Sequence, residues 1–277
     1  MDVLAPLADC PTCQEPLDRF PGFFRRGQSV EEIGKATISP ALRTRTGINY
    51  ATGTVMQSIL YNRAVLPEGT NFWGEWYIDD AIASDFQTFV ETVADAGLVR
   101  VGNNRTRGLG RVTINLSEQE VENIAALQRR VQMFDHALRM AAEAVGISTP
   151  AALYVPLTLT SDAILYDRLL RPQLQITGDY LRETWGLTNA QVVYQVAGVR
   201  RVEGWNTLWG LPKADELAIA MGAVFLIALP TNDIDVFERL YKLQEQGIGA
   251  RRTEGFGTIR VADAFHFEHL QVSGGYR

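Results

Sequence analysis

The feature that most constrains this chain is an eleven-residue pattern that occurs twice with identical spacing. Residues 102–112 read GNNRTRGLGRV and residues 249–259 read GARRTEGFGTI. Both fit G-x-x-R-T-x-G-(apolar)-G-x-(Val/Ile), so that Gly102, Arg105, Thr106, Gly108 and Gly110 correspond to Gly249, Arg252, Thr253, Gly255 and Gly257. Five identities in eleven positions, three of them glycine, point to an internal duplication, and a duplicated unit predicts a two-lobed chain.

The flanks repeat as well. The aromatic run NFWGEWYI before the first loop reads as a strand, and Ser84-Asp85-Phe86-Gln87 reads as a capping box that opens a helix. Phe86, Phe89, Val90 and Val93 share one face of that helix, and Gly97 stands where a C-terminal glycine belongs. Before the second loop, 222–229 is a continuous apolar strand ended by Pro230. Asn232 or Asp233 can cap the next helix, whose face carries Ile234, Phe237, Leu240 and Tyr241. Each unit therefore reads strand, helix, glycine loop, strand, which is half of a ferredoxin-like fold. Ser117-Glu118-Gln119-Glu120 reads as another capping box, opening a long amphipathic helix through Ile124, Leu127, Val131, Phe134 and Leu138 that ends near Gly146. Tyr154–Thr160 reads as the first strand of the second lobe, whereas the first shows no such strand before a hairpin-like segment around 48–60.

The fold class expected is therefore α+β, with two tandem ferredoxin-like (RRM-like) lobes, the first lacking its opening strand. That strand would come from a partner, or the chain is a shortened form. The boundaries expected are an N-terminal segment over 1–29, a first lobe with its linking helix over 30–147, and a second lobe over 148–277.

Glycines two apart let the backbone approach a ligand and present its amide hydrogens. With Arg105, Arg107 and Arg111 in one copy and Arg251 and Arg252 in the other, the loops predict a phosphate-binding surface. The plain alternative for either loop alone is a bulge or a close crossing. The dinucleotide fingerprint does not fit, because these loops follow a helix and lead into a strand. The formal net charge of -6 argues against an indiscriminate polyanion binder. The basic residues are nonetheless almost all arginine, only Lys35, Lys213 and Lys242 being lysine, and arginine is the side chain suited to bidentate phosphate contact. Four arginines and no acid lie between Arg100 and Arg111, so the positive charge is local. No apolar run approaches the roughly 20 residues of a membrane span, and the N-terminus is unlike a signal peptide; a soluble, cytoplasmic protein without a membrane partner is expected.

Together these residues resemble the RAMP superfamily of CRISPR-associated proteins, whose signature is such a glycine-rich loop after a helix. Arg45–Asn49, Ala51–Thr54, Leu60-Tyr61 and Pro67–Phe72 are similar to the central block of type III effector subunits. Leu157–Ile164 and Trp209–Lys213 are similar to stretches of the two-lobed subunit of subtype III-D complexes that holds the 5′ handle of the guide RNA. The resemblance covers the chain from about residue 20 onward. It implies a ribonucleoprotein subunit of an antiviral effector, with CRISPR RNA and other type III effector subunits as partners and target RNA met indirectly. The binding residues it implies are Gly102, Asn103, Asn104, Arg105, Thr106, Arg107, Gly108, Gly110 and Arg111 in the first loop. In the second they are Gly249, Arg251, Arg252, Gly255, Phe256 and Gly257, with Arg43 and Arg45 as further contacts or a solvated face. Phe72, Trp73, Trp76 and Tyr77 would stack on bases or pack in a core.

A catalytic reading competes with this one. A target-RNA endoribonuclease of the same superfamily would use a loop aspartate with a metal ion, and Asp79 or Asp80 occupies such a place; acids there also serve as helix caps. His136, His266 and His269 fall outside any loop pattern. A non-catalytic role needing no cofactor is expected, with a purely structural scaffold as the third reading. Cys10 and Cys13 have the spacing of half a structural zinc site, or are two free thiols.

Overall fold

The computed structural model describes residues 23–25, 34–36, 38–102, 104–118, 121–206, 208–230 and 235–267. It is a mixed α+β structure whose sheets are antiparallel. Two short strands, β1 (Phe23–Arg25) and β2 (Gly34–Ala36), come first. The chain then divides into two compact units, one of residues 35–121 and one joining 122–277 with the first 34 residues.

In the unit 35–121, β3 (Ala41–Ile48) and β4 (Val55–Val65) form a hairpin. Its turn closes when the Asn49 amide donates to the Thr54 carbonyl at 2.9 Å and the Gly53 amide to the Asn49 carbonyl at 2.8 Å. The helix α1 (Asp80–Asp95) begins four residues before the expected capping box, because the Asp79 carboxylate accepts from the Ala81 amide at 2.9 Å. Its end is as expected: Gly97 takes φ +63°, the Gly97 amide donates to Ala94 and the Leu98 amide to Val93. On the expected apolar face only Val90 is buried, Phe86 and Val93 are half-buried, and Phe89 is exposed. The run 71–78 forms no strand. Phe72, Trp73 and Trp76 are exposed instead of packed in a core, Trp73 at 96%, with the Trp76 ring edge-on to Phe86 at 5.4 Å.

In the other unit, α2 (Ile124–Ala144) opens at Asn123, whose side chain accepts from the Ala126 amide at 2.9 Å, and not at the expected box six residues earlier. There follow β5 (Leu153–Leu159), α3 (Gly178–Trp185), β6 (Gln191–Val196), β7 (Val199–Val202), β8 (Trp205–Asn206), β9 (Leu211–Pro212), β10 (Glu216–Ile219), β11 (Val224–Leu229), α4 (Val236–Gln246) and β12 (Ile259–Val261). Asn232, Asp233 and Ile234 lie outside the described residues. One four-stranded sheet has the order β12-β5-β11-β6, every neighbour antiparallel. Along the chain this is strand–helix–strand twice over, with the two repeats interleaved in one sheet. Pairs β7–β10 and β8–β9 are two short antiparallel sheets formed between β6 and β11 along the chain.

The core of this unit joins Leu157, Phe225 and Ile227 of the sheet to Leu181 of α3, Leu240 and Leu243 of α4, and Leu127, Val131 and Phe134 of α2. Each such buried side chain contributes about 1.5–3 kcal/mol. The helix α2 thus packs with the residues that follow it. Arg130 fastens it, donating to the Val261 carbonyl at 2.8 Å while pairing with Glu122 at 2.9 Å.

In 35–121, by contrast, the described residues hold one hairpin, one helix and an isolated bridge between Arg100 and Arg111, with no second four-stranded sheet. A strand needs a neighbour to satisfy its amides and carbonyls. The strand β11 lies between β5 and β6, but 71–78 has no counterpart of β5 beside it among the described residues.

Candidate nucleic-acid interface

The two copies of the repeated sequence fold into the same loop. Gly102 and Gly249 have φ of +84° and +78°, Gly108 and Gly255 +77° and +90°, Gly110 and Gly257 +81° and +74°. Between them a non-glycine residue also enters the left-handed region, Asn104 at φ +60° and Arg251 at +56°. One turn of 3₁₀ helix follows in each, over Arg105–Arg107 and Arg252–Glu254. Even the closing bonds coincide: Val101 to Gly110 and Ile248 to Gly257, both at 2.8 Å, and Arg107 to Asn104 and Glu254 to Arg251, both at 2.9 Å.

Their side chains have diverged. In the first loop Arg105, Thr106 and Arg107 are exposed, and with Gly102 and Asn104 they line an open concavity of ≈ 390 Å³. Asn103 lies outside the described residues. The Arg107 guanidinium donates to the Tyr61 hydroxyl of β4 at 3.2 Å, which ties the loop to the hairpin. Arg111 is exposed, and Arg100 turns back to donate to the carbonyls of Gly97 and Val99.

In the second loop Arg251 is neutralised internally. Arg251 makes two hydrogen bonds to Glu254, at 3.0 and 2.6 Å, pairs with Glu216 of β10, and covers the half-buried Phe256 ring at 4.8 Å. Lys213 reaches Glu254 at 3.1 Å, and Arg252 donates to the last carbonyl of α4 at 3.1 Å. The bonds that Arg251 donates to Glu254 push its pKa further above its ordinary range. Those from Arg251, with those from Lys213, hold the Glu254 carboxyl down to about 2. Here the sequence-distant segments meet. Asp162 accepts from the Gly257 amide, Ile164 from the Ala250 amide, and Ser161 from the Thr258 amide, all at 2.8 Å.

A pH dependence follows. A carboxyl at about 2 in the folded state and near 4.5 when unfolded stabilises the fold above pH 4.5, and that contribution is lost as pH falls towards 2. Glu254→Gln is expected to flatten the acid limb of an unfolding-versus-pH curve between pH 4.5 and 2. An unchanged limb would show that Glu254 is as free in the folded as in the unfolded chain.

Charge pairing differs between the two units. In 122–277 Arg130, Arg139, Arg171, Arg200, Arg201 and Arg251, among others, pair with carboxylates. In 35–121, none of Arg43, Arg45, Arg63, Arg100, Arg105, Arg107 and Arg111 makes an ion pair among the described residues. The acids of this unit lie between Glu68 and Asp95, on the loop and helix that separate the hairpin from the glycine loop, and again at Glu118 and Glu120 beyond it. Arg43 and Arg45 lie on one face of β3, opposite Arg63 and Tyr61 of β4. Arg63 belongs to no sequence motif; alternation along β4, once the hairpin register is known, brings it there.

Asp79 and Asp80 stand at the start of α1, where the Asp79 carboxylate serves as the cap. His266 is half-buried, its Nε2 2.7 Å from the Thr158 hydroxyl, and burial lowers its pKa. Cys10, Cys13 and His269 lie outside the described residues, among which no group of three or more His, Cys, Asp or Glu is placed to hold a metal ion. Nor is any described helix long and apolar enough to cross a membrane.

No family model matches the chain, and no curated protein matches it. Among solved structures, it is similar to a chain of the cryo-EM structure of the type III-B Cmr-beta bound to cognate target RNA. The match covers 65% of this chain and 88% of that one, at 13% identity and a TM-score of 0.23.

Proposed function

We propose that this chain is a non-catalytic, guide-RNA-binding subunit of a type III CRISPR effector complex, built on ferredoxin-like lobes, that holds the 5′ handle and adjoining backbone of the guide. The observation that carries this reading is the first glycine loop, which presents Arg105 and Arg107 over an open concavity without an acidic partner among the described residues. Guanidinium groups exposed in this way suit phosphate oxygens, which accept two hydrogen bonds from one arginine. The sequence resemblance names the phosphate-bearing ligand as guide RNA. The interleaved β5–β12 sheet supports a ferredoxin-like lobe in 122–277. Other effector subunits would join through the exposed apolar side chains of 35–121, and target RNA would be met through the guide.

The test is to purify the full chain together with the products of its neighbouring genes, extract the bound nucleic acid and sequence it. Short RNAs sharing one repeat-derived 5′ end are expected. An intact complex devoid of RNA would overturn the reading and leave a scaffold.

A further inference from the structure

In β3–β4, Arg43 stands directly opposite Arg63. Opposed residues of an antiparallel pair have Cβ atoms about 4.5–5.5 Å apart, and like charges so placed destabilise the ladder. Such pairs are ordinarily relieved by a neighbouring acid. Neither arginine has one among the described residues. One step along the same face come Arg45 and its opposite Tyr61, and the Tyr61 hydroxyl accepts from Arg107 of the glycine loop at 3.2 Å. The hairpin face and the loop are thus joined through one phenol, and a tract of guanidinium groups runs from Arg63 and Arg43 through Arg45 to Arg107 and Arg105. Same-face residues of a strand are about 6.6–6.8 Å apart, comparable with the step between neighbouring phosphates of a nucleic-acid strand.

We propose that Arg43 and Arg63 form a second phosphate subsite, a two-arginine clamp that takes the next part of a single-stranded RNA backbone held by the first glycine loop. The inference deepens the RNA-binding reading and rests on it. The anion neutralises a repulsion built into the empty hairpin, so the clamp favours the bound state without an acid to compete for its arginines.

The experiment uses the purified full chain and a fluorescein-labelled oligouridylate of about twelve nucleotides, titrated over a salt series, with melting of the RNA-free protein measured alongside. Arg63→Gln is expected to weaken binding about tenfold, the equivalent of one charge-assisted contact. It should also reduce the slope of log K against log salt by about 0.7. The RNA-free melting temperature should hold or rise, because a like-charge contact is gone. Arg63→Lys keeps the charge, and so should keep the slope while losing part of the affinity. Unchanged binding in Arg63→Gln, with binding still lost in the Arg105→Ala, Arg107→Ala double variant, would overturn the clamp and leave the loop reading intact. Unchanged binding in both would overturn both. A fall in melting temperature that accounts for the lost binding would make Arg63 structural and overturn the clamp.

Discussion

The double substitution Arg105→Ala, Arg107→Ala is expected to weaken binding of single-stranded RNA about a hundredfold, two charge-assisted contacts' worth. The slope of log K against log salt should fall by about 1.4, since each neutralised phosphate of a single strand contributes about 0.7. Both side chains are exposed and make no ion pair among the described residues, so their removal breaks no internal salt bridge there. Within the fold, the substitutions take away the hydrogen bond from Arg107 to the Tyr61 hydroxyl, an exposed one. The RNA-free melting temperature should therefore hold. Removing a cation from the second loop, at Arg251 (the counterpart of Asn104), has a different effect. Arg251 is already committed to Glu216, Glu254 and the Phe256 ring. Arg251→Ala takes the cation away from Glu216 and leaves Glu254 to Lys213, so it lowers stability instead of the salt slope. Filter binding or fluorescence anisotropy over a salt series, beside thermal melts, separates the two variants. Equal loss of RNA from both would mean that the glycine loops act alike despite their charges; undiminished binding in the first would remove the loop from the interface.

That divergence is half legible in the sequence. Replacement of Arg107 by Glu254 at equivalent positions is visible, and a glutamate in a phosphate loop is already a warning. The neutralisation by Glu216 and Lys213 is not visible, because it depends on β10 and the foot of the β8–β9 pair folding onto the loop. Strands β5 and β11 and helix α4 are legible because their apolar patterns are buried as the periodicity requires. The run NFWGEWYI forms no strand for a tertiary reason: aromatic residues favour strands only where a neighbouring strand supplies hydrogen bonds, and 71–78 has none among the described residues. Helices α1 and α2 start away from their capping-box patterns because a single acceptor prevails, Asp79 and Asn123 each satisfying an amide without the box. The position of Arg63 is hidden by the hairpin register. Ile48 is opposite Val55 but Thr46 is opposite Leu60, so two residues on β3 span five on β4. That odd shift of three exchanges the faces of β4, and alternation counted from the turn would set Arg43 against Leu60.

Gly257→Ala is expected to destabilise the protein by on the order of 4–5 kcal/mol, against about 1–2 kcal/mol for Gly255→Ala two residues away. Both glycines have positive φ, +74° and +90°, so both substitutions carry the cost of a left-handed conformation. Their surroundings make the difference. A Cβ on Gly255 would meet nothing within 4 Å, whereas on Gly257 it would lie 1.8 Å from the Ile248 carbonyl oxygen. That oxygen belongs to the backbone, so no side chain can rotate away. Relief means parting Ile248 from Gly257 and breaking the bond between them at 2.8 Å. It also disturbs the bond from the Gly257 amide to the Asp162 carbonyl and the adjoining seat of Thr258 on Ser161. Those bonds set the start of β12 against β5, so the damage reaches the central sheet, in a protein class whose whole stability is about 5–15 kcal/mol. In the first loop Gly110→Ala meets the Val101 carbonyl oxygen at 2.2 Å, but no such sheet follows it among the described residues. Gly110→Ala should therefore abolish the RNA site while sparing the global unfolding transition, and Gly257→Ala should shift that transition. Denaturant unfolding of Gly110→Ala, Gly255→Ala and Gly257→Ala decides the matter. Similar midpoints for Gly255→Ala and Gly257→Ala would show that the close approach at Gly257 relaxes freely, and that positive φ alone explains both glycines.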